Sequence, residues 1–124
     1  MKTGVYRNYN EFSALVLNTL LEMIRRTKGG LVTFNPKKIA VLAGIDTHPV
    51  ILTLVKDVLE GLRERGLINI AGKSKHGVKY SVTKNSPLWA LAKEGYMFTA
   101  ATVADLERIS VMASAQKRRA SAIP

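Results

Sequence analysis

The chain has 124 residues, enough for one hydrophobic core and too few for two. Hydrophobic residues make up 47% of it, which excludes a disordered tail protein, and the lack of cysteine excludes disulfides and thiolate metal sites. Nineteen Lys and Arg against nine Asp and Glu leave a formal charge of +10, a surplus that points to a polyanion, most often nucleic acid.

Residues 1–9 read as a basic, aromatic arm carrying Lys2, Tyr6, Arg7 and Tyr9. Asn10 can cap a helix running to about Lys28, with Phe12, Val16, Leu20, Met23 and Ile24 inward and Leu15, Leu17 and Leu21 widening the apolar face. A stripe that wide implies burial on two sides, either between helices or against a second subunit. The uncharged run from Phe12 to Leu21 is broken by Ser13, Asn18 and Thr19 and is too short to span a bilayer. With no signal-peptide pattern ahead of it, the expectation is a cytoplasmic protein with no membrane partner. Gly29-Gly30 ends the helix, and Leu31–Phe34 is a brief β-rich run.

Asn35 is a good N-cap, and Pro36 suits the first helical position. Ile39, Leu42 and Ala43 are expected to share an apolar face, with Gly44 ending the helix in the left-handed conformation. Pro49 breaks the chain at His48 and opens a longer helix, whose apolar face is predicted at Ile51, Leu54, Val55, Val58 and Leu62. Gly66 stops it. Residues 67–71 and 78–83 read as two strands, joined by the glycine-bounded, acid-free stretch 72–77. Ser86 or Asn85 then caps a short helix begun by Pro87, with Leu88, Trp89 and Leu91 apolar and Gly95 as its stop. Tyr96-Met97-Phe98 is an aromatic connector. Thr102 and Asp105 resemble a capping box for a last helix to about Arg119, with Val103, Leu106, Ile109, Met112 and Ala113 apolar. A basic end follows at Lys117, Arg118 and Arg119.

Two phrases carry a resemblance. Ala40-Val41-Leu42-Ala43-Gly44-Ile45 resembles the first half of a helix-turn-helix, and Leu62-Arg63-Glu64-Arg65-Gly66-Leu67-Ile68 ahead of a Lys-rich hairpin resembles a recognition helix running into its wing. Residues 10–84 are thus similar to the winged helix-turn-helix superfamily of small archaeal and bacterial regulators. The resemblance implies an α+β fold: a three-helix core and a small antiparallel sheet with one wing, here followed by two C-terminal helices. Residues 85–120 are then a helical extension that pairs two copies into a homodimer, and 121–124 a tail.

The charge is unevenly spread. Arg25, Arg26, Lys28, Lys37 and Lys38 have no acidic residue among them, nor do Lys73, Lys75, Lys79 and Lys84. From Asp46 to Gly66 the sum is −1, from Lys56, Arg63 and Arg65 against Asp46, Asp57, Glu60 and Glu64. The expected phosphate contacts are therefore Arg25, Arg26, Lys37 and Lys38 on one flank, and Lys73, Lys75, His76 and Lys79 on the other. Lys37 and Lys38 face the positive end of a helix dipole, so local stability does not explain them. The longer helix offers few base readers beyond Thr47, His48, Thr53 and Lys56. No residue set suggests catalysis, a metal site or a cofactor. The leading expectation is a nucleoid-associated, double-stranded DNA-binding regulator or architectural protein, strongly salt-dependent and modest in sequence specificity. The other readings are an RNA- or ribosome-binding winged helix, and a protein-interaction module using apolar positions around Leu52.

Overall fold

The computed structural model describes residues 9–75, 77–99 and 102. In chain order they form α1 (Tyr9–Arg26), β1 (Leu31–Phe34), α2 (Pro36–Ala43), α3 (Pro49–Glu64), β2 (Asn69–Ser74), β3 (Gly77–Thr83) and α4 (Pro87–Lys93). The three strands make one antiparallel sheet in the order β1-β3-β2, so the architecture is α+β. The arm residues Lys2, Tyr6 and Arg7, the residue His76, the final helix expected from Thr102 to Arg119 and the basic end at 117–119 lie outside the described residues.

α1 starts one residue earlier than its predicted cap, so Tyr9 belongs to the helix and Asn10 sits inside it. It stops at Arg26, where the Thr27 N–H donates to the Ile24 carbonyl at 3.1 Å and tightens the last turn ahead of Gly29-Gly30. Phe12, Val16, Leu17, Leu20, Leu21 and Ile24 are buried, while Met23 and Leu15 stay partly exposed. The wide stripe is covered within one chain, because α1 packs against α4 as well as α2 and α3. Asn18 reinforces that packing. Its amide donates to the Phe98 carbonyl at 2.9 Å and accepts the Phe98 N–H at 2.7 Å, clipping the connector after α4 to the side of α1.

α2 begins as its residues require. Asn35 is extended and its Oδ1 accepts the Lys38 N–H at 2.7 Å. Pro36 follows, and Gly44 closes the helix at φ 72°. The buried face differs from the predicted one. Ile39 and Ala40 are buried, whereas Leu42 is 56% exposed. The face that meets α1 and α3 is centred on Ile39, Ala40 and Ala43, and Leu42 lies roughly a third of a turn away. The small Ala40 is fully buried where α2 packs against α1 and α3.

α3 needs a similar correction. Ile51, Val55, Val58, Leu59 and Leu62 are buried, but Leu54 is 36% exposed and Leu59 takes its place at 0%. His48 makes no side-chain cap; instead its N–H donates to Asp46 Oδ1 at 3.0 Å, which holds the link between α2 and α3.

The strands of the hairpin extend further toward its turn than predicted. β2 starts at Asn69, because Leu67 and Ile68 drop into the core at 1% exposure each. It then runs on to Ser74. Gly72, Lys73 and Ser74 pair with Lys79, Val78 and Gly77, so most of the expected loop 72–77 is strand. A register shift between Ile70 and Gly72 leaves Ala71 as the extra residue, and it lets pairing resume beyond the glycine. Tyr80 and Val82 on the central strand are fully buried, with the Tyr80 and Phe34 rings stacked at 6.0 Å. Ser86 rather than Asn85 caps α4, accepting the Leu88 N–H at 3.2 Å and donating to the Leu67 carbonyl at 2.6 Å. In that helix Leu88, Trp89 and Ala92 are buried and Leu91 is only partly so.

Candidate nucleic-acid interface

Three elements far apart in the chain converge on one open groove of about 690 Å³. The start of α2 supplies Asn35, Pro36 and Lys37. The cap and the proline fix that turn, so the Lys37 stem leaves from a rigid base. The second turn of α3 supplies Leu52, Thr53 and Lys56, and the hairpin supplies Ser74, Gly77, Val78 and Lys79. Leu52 and Val78, both partly buried, form the apolar floor. Among the described residues, no acidic residue lines this groove.

A second groove, of about 440 Å³, continues from it along α3 and shares Lys56 and Val78. Lys73, Arg63, Glu60 and Ile70 complete its lining. Here the positive charge is partly cancelled. Both oxygens of Glu60 are occupied: Oε2 accepts the Tyr80 hydroxyl at 2.5 Å, and Oε1 accepts Arg63 Nε at 3.0 Å and Nη2 at 2.9 Å. The Tyr80 hydrogen bond, followed by that from Arg63, holds the Glu60 carboxyl below its ordinary value. Burial, reinforced by the neighbouring Glu60, pushes the Tyr80 phenol up, so near neutral pH the pair is carboxylate and neutral phenol.

Of the twelve predicted contact residues, Lys37, Thr53, Lys56 and Lys79 meet in the first groove, and Lys73 joins Lys56 in the second. Thr53 spends its hydroxyl proton on the Pro49 carbonyl at 3.0 Å, which leaves its oxygen lone pairs outward. Lys38, Thr47, His48 and Lys75 are exposed but line neither groove. His76 falls outside the described residues. Arg25 and Arg26 are not brought to this face. Arg25 donates to the Ala92 carbonyl at 2.8 Å and the Tyr96 carbonyl at 3.3 Å, pairing also with Glu22 at 2.7 Å. Arg26 pairs with Glu22 at 2.8 Å and lines a small hollow between α1 and Leu42. Arg25 is directed at α4, where it satisfies carbonyls that the helix terminus leaves open.

No family model, curated protein or solved structure matches this chain.

Sequence reasoning missed the polar members Asn35 and Ser74, the second-groove residue Arg63, and the Tyr80–Glu60 bond. The i, i+4 and i+3 spacing of Lys56, Glu60 and Arg63 was the available signal, since it aligns them on one side of α3. Asp57, by contrast, is turned away from both grooves and accepts the Tyr9 hydroxyl at 3.0 Å. Among the described residues no group of three His, Cys, Asp or Glu could hold a metal ion, and no helix is long and apolar enough to cross a membrane. Chemically, the first groove offers the three ammonium groups of Lys37, Lys56 and Lys79 to an extended anion, over a floor that is itself apolar.

Proposed function

We propose that this protein binds duplex DNA as a winged helix-turn-helix protein, gripping phosphates more than reading bases, in the manner of a regulator or an architectural protein. The observation that carries the reading is the acid-free groove lined by Lys37, Lys56 and Lys79 from three separate segments. A neutral-surface explanation does not account for it, because Lys37 opposes the dipole of its own helix. The order α1-β1-α2-α3-β2-β3, with β3 central in the sheet, also supports a winged-helix arrangement. Limited base readout follows from what α3 exposes. Val50 at 68% and Leu54 at 36% exposure are suited to thymine methyls, and Thr53 and Lys56 are the polar groups beside them.

Binding of a mixed-sequence duplex, measured by fluorescence anisotropy across a salt series, tests this. The logarithm of the affinity is expected to fall linearly with the logarithm of salt, with a slope of about −3 to −5 for four or five phosphate contacts. Scrambling the duplex is expected to change the affinity by less than about a thousandfold. Absence of salt-dependent binding, or displacement of the duplex by structured RNA at a lower concentration than by DNA, would overturn the reading.

A further inference from the structure

The second groove contains an arginine that is held rather than offered. Arg63 lies within the lining shared with Lys56 and Lys73, and its side chain is 35% exposed, so it is open to an anion entering there. Its Nε and Nη2 are nonetheless both turned onto one oxygen of Glu60, at 3.0 and 2.9 Å. The other oxygen is fixed by Tyr80 from the central strand. Glu60 is thereby clamped from two sides, and the guanidinium is drawn toward α3 instead of the open groove.

We propose that Glu60 holds Arg63 back from the phosphate track, so that the protein binds its polyanion less tightly than its cations allow. The inference rests on the duplex-binding reading and names the residue that limits it. A purely structural role, tying α3 to β3, needs only an acceptor for the Tyr80 hydroxyl, which a glutamine oxygen also provides. The carboxylate adds something a glutamine would not: a fixed negative charge among the lining cations Lys56, Arg63 and Lys73, and a partner strong enough to compete with phosphate for a guanidinium. A protein that must leave one stretch of duplex for another gains from such a stop, because each additional phosphate contact slows release.

The test combines E60Q, R63Q and the E60Q/R63Q double variant with E94Q, which makes the same charge change at the end of α4. Each is measured for thermal melting and for mixed-duplex affinity across a salt series. E60Q is expected to bind about three- to tenfold tighter at low salt, with a salt slope steeper by about one. R63Q alone is expected to stay within about twofold of wild type and to remove the gain when added to E60Q. E94Q is expected to stay within about twofold, because Glu94 caps α4 and lines neither groove. Unchanged or weaker binding by a normally melting E60Q overturns the proposal. If E60Q melts early, R63Q decides: a loss of about tenfold or more means Arg63 already contacts phosphate, and it overturns the proposal as well. Wild-type protein that fails to bind duplex sinks the functional reading itself, whereas wild-type binding with an unresponsive E60Q sinks only this inference.

Discussion

Changing Lys37 and Lys79 together to glutamate is expected to weaken duplex binding by about a hundredfold or more and to make the salt slope shallower by about two. The two residues lie on different elements, at the start of α2 and in β3, yet line the same groove. Removing them takes away two phosphate contacts, and the new carboxylates repel the same phosphates. Stability should move the other way or not at all. A glutamate at position 37 sits in the first turn of α2, where negative charge is favoured by about 0.3–1 kcal/mol. Position 79 is exposed, opposite Gly72 on the neighbouring strand, so its replacement strains nothing. Unimpaired melting with lost binding separates a direct contact from a folding defect. The matched control is Arg26→Glu. Its side chain is 79% exposed but faces the α1 corner, and its change should cost less than about tenfold.

The second large effect concerns the core. Leu59→Ala is expected to cost about 2–5 kcal/mol, and Leu54→Ala less than about 1 kcal/mol. Leu59 is completely buried where α3 meets the rest of the core, and truncation there leaves a cavity that close-packed neighbours fill only in part. Leu54 already gives 36% of its surface to solvent, so its loss removes little burial. In melting experiments the first change should lower the midpoint by more than about 10 °C and the second by a few degrees. Similar losses for both would mean that α3 is rotated about its axis relative to the arrangement described, which would also move Lys56 off the groove.

That leucine pair shows what could and could not be read without coordinates. Local chemistry was legible: Asn35, Pro36 and Gly44 delimit α2 through bonds and backbone angles that depend on near neighbours, and Ser86-Pro87 opens α4 in the same way. Which face of a helix is buried depends on what packs against it. Leu42 and Leu54 therefore fit an apolar period yet lie outside the core, while Ala40 and Leu59 lie inside it. The length of the hairpin was hidden for a different reason. One extra residue at Ala71 shifts the register, and pairing then continues through a glycine that reads as a loop. Charge density along the chain was a fair guide to Lys37, Lys73 and Lys79. It did not show that Arg25 is turned onto the carbonyls of α4 and its connector, or that Arg26 is paired with Glu22, so that neither lines the grooves. The role of Glu60 was hidden because the decisive bond comes from Tyr80, twenty residues away on β3.

The central claim is that cations from the start of α2, the second turn of α3 and the hairpin meet one polyanion together. Backbone amide shifts of labelled protein, followed while a 20-base-pair duplex (about two helical turns) is added, test it most directly. The account predicts perturbations that grow in parallel at Lys37, at Thr53 and Lys56, and at Ser74 and Lys79, with Arg25 and Lys93 near α4 unmoved. Perturbations centred on Arg25, Arg26 and α4, with the three groove segments silent, would contradict it.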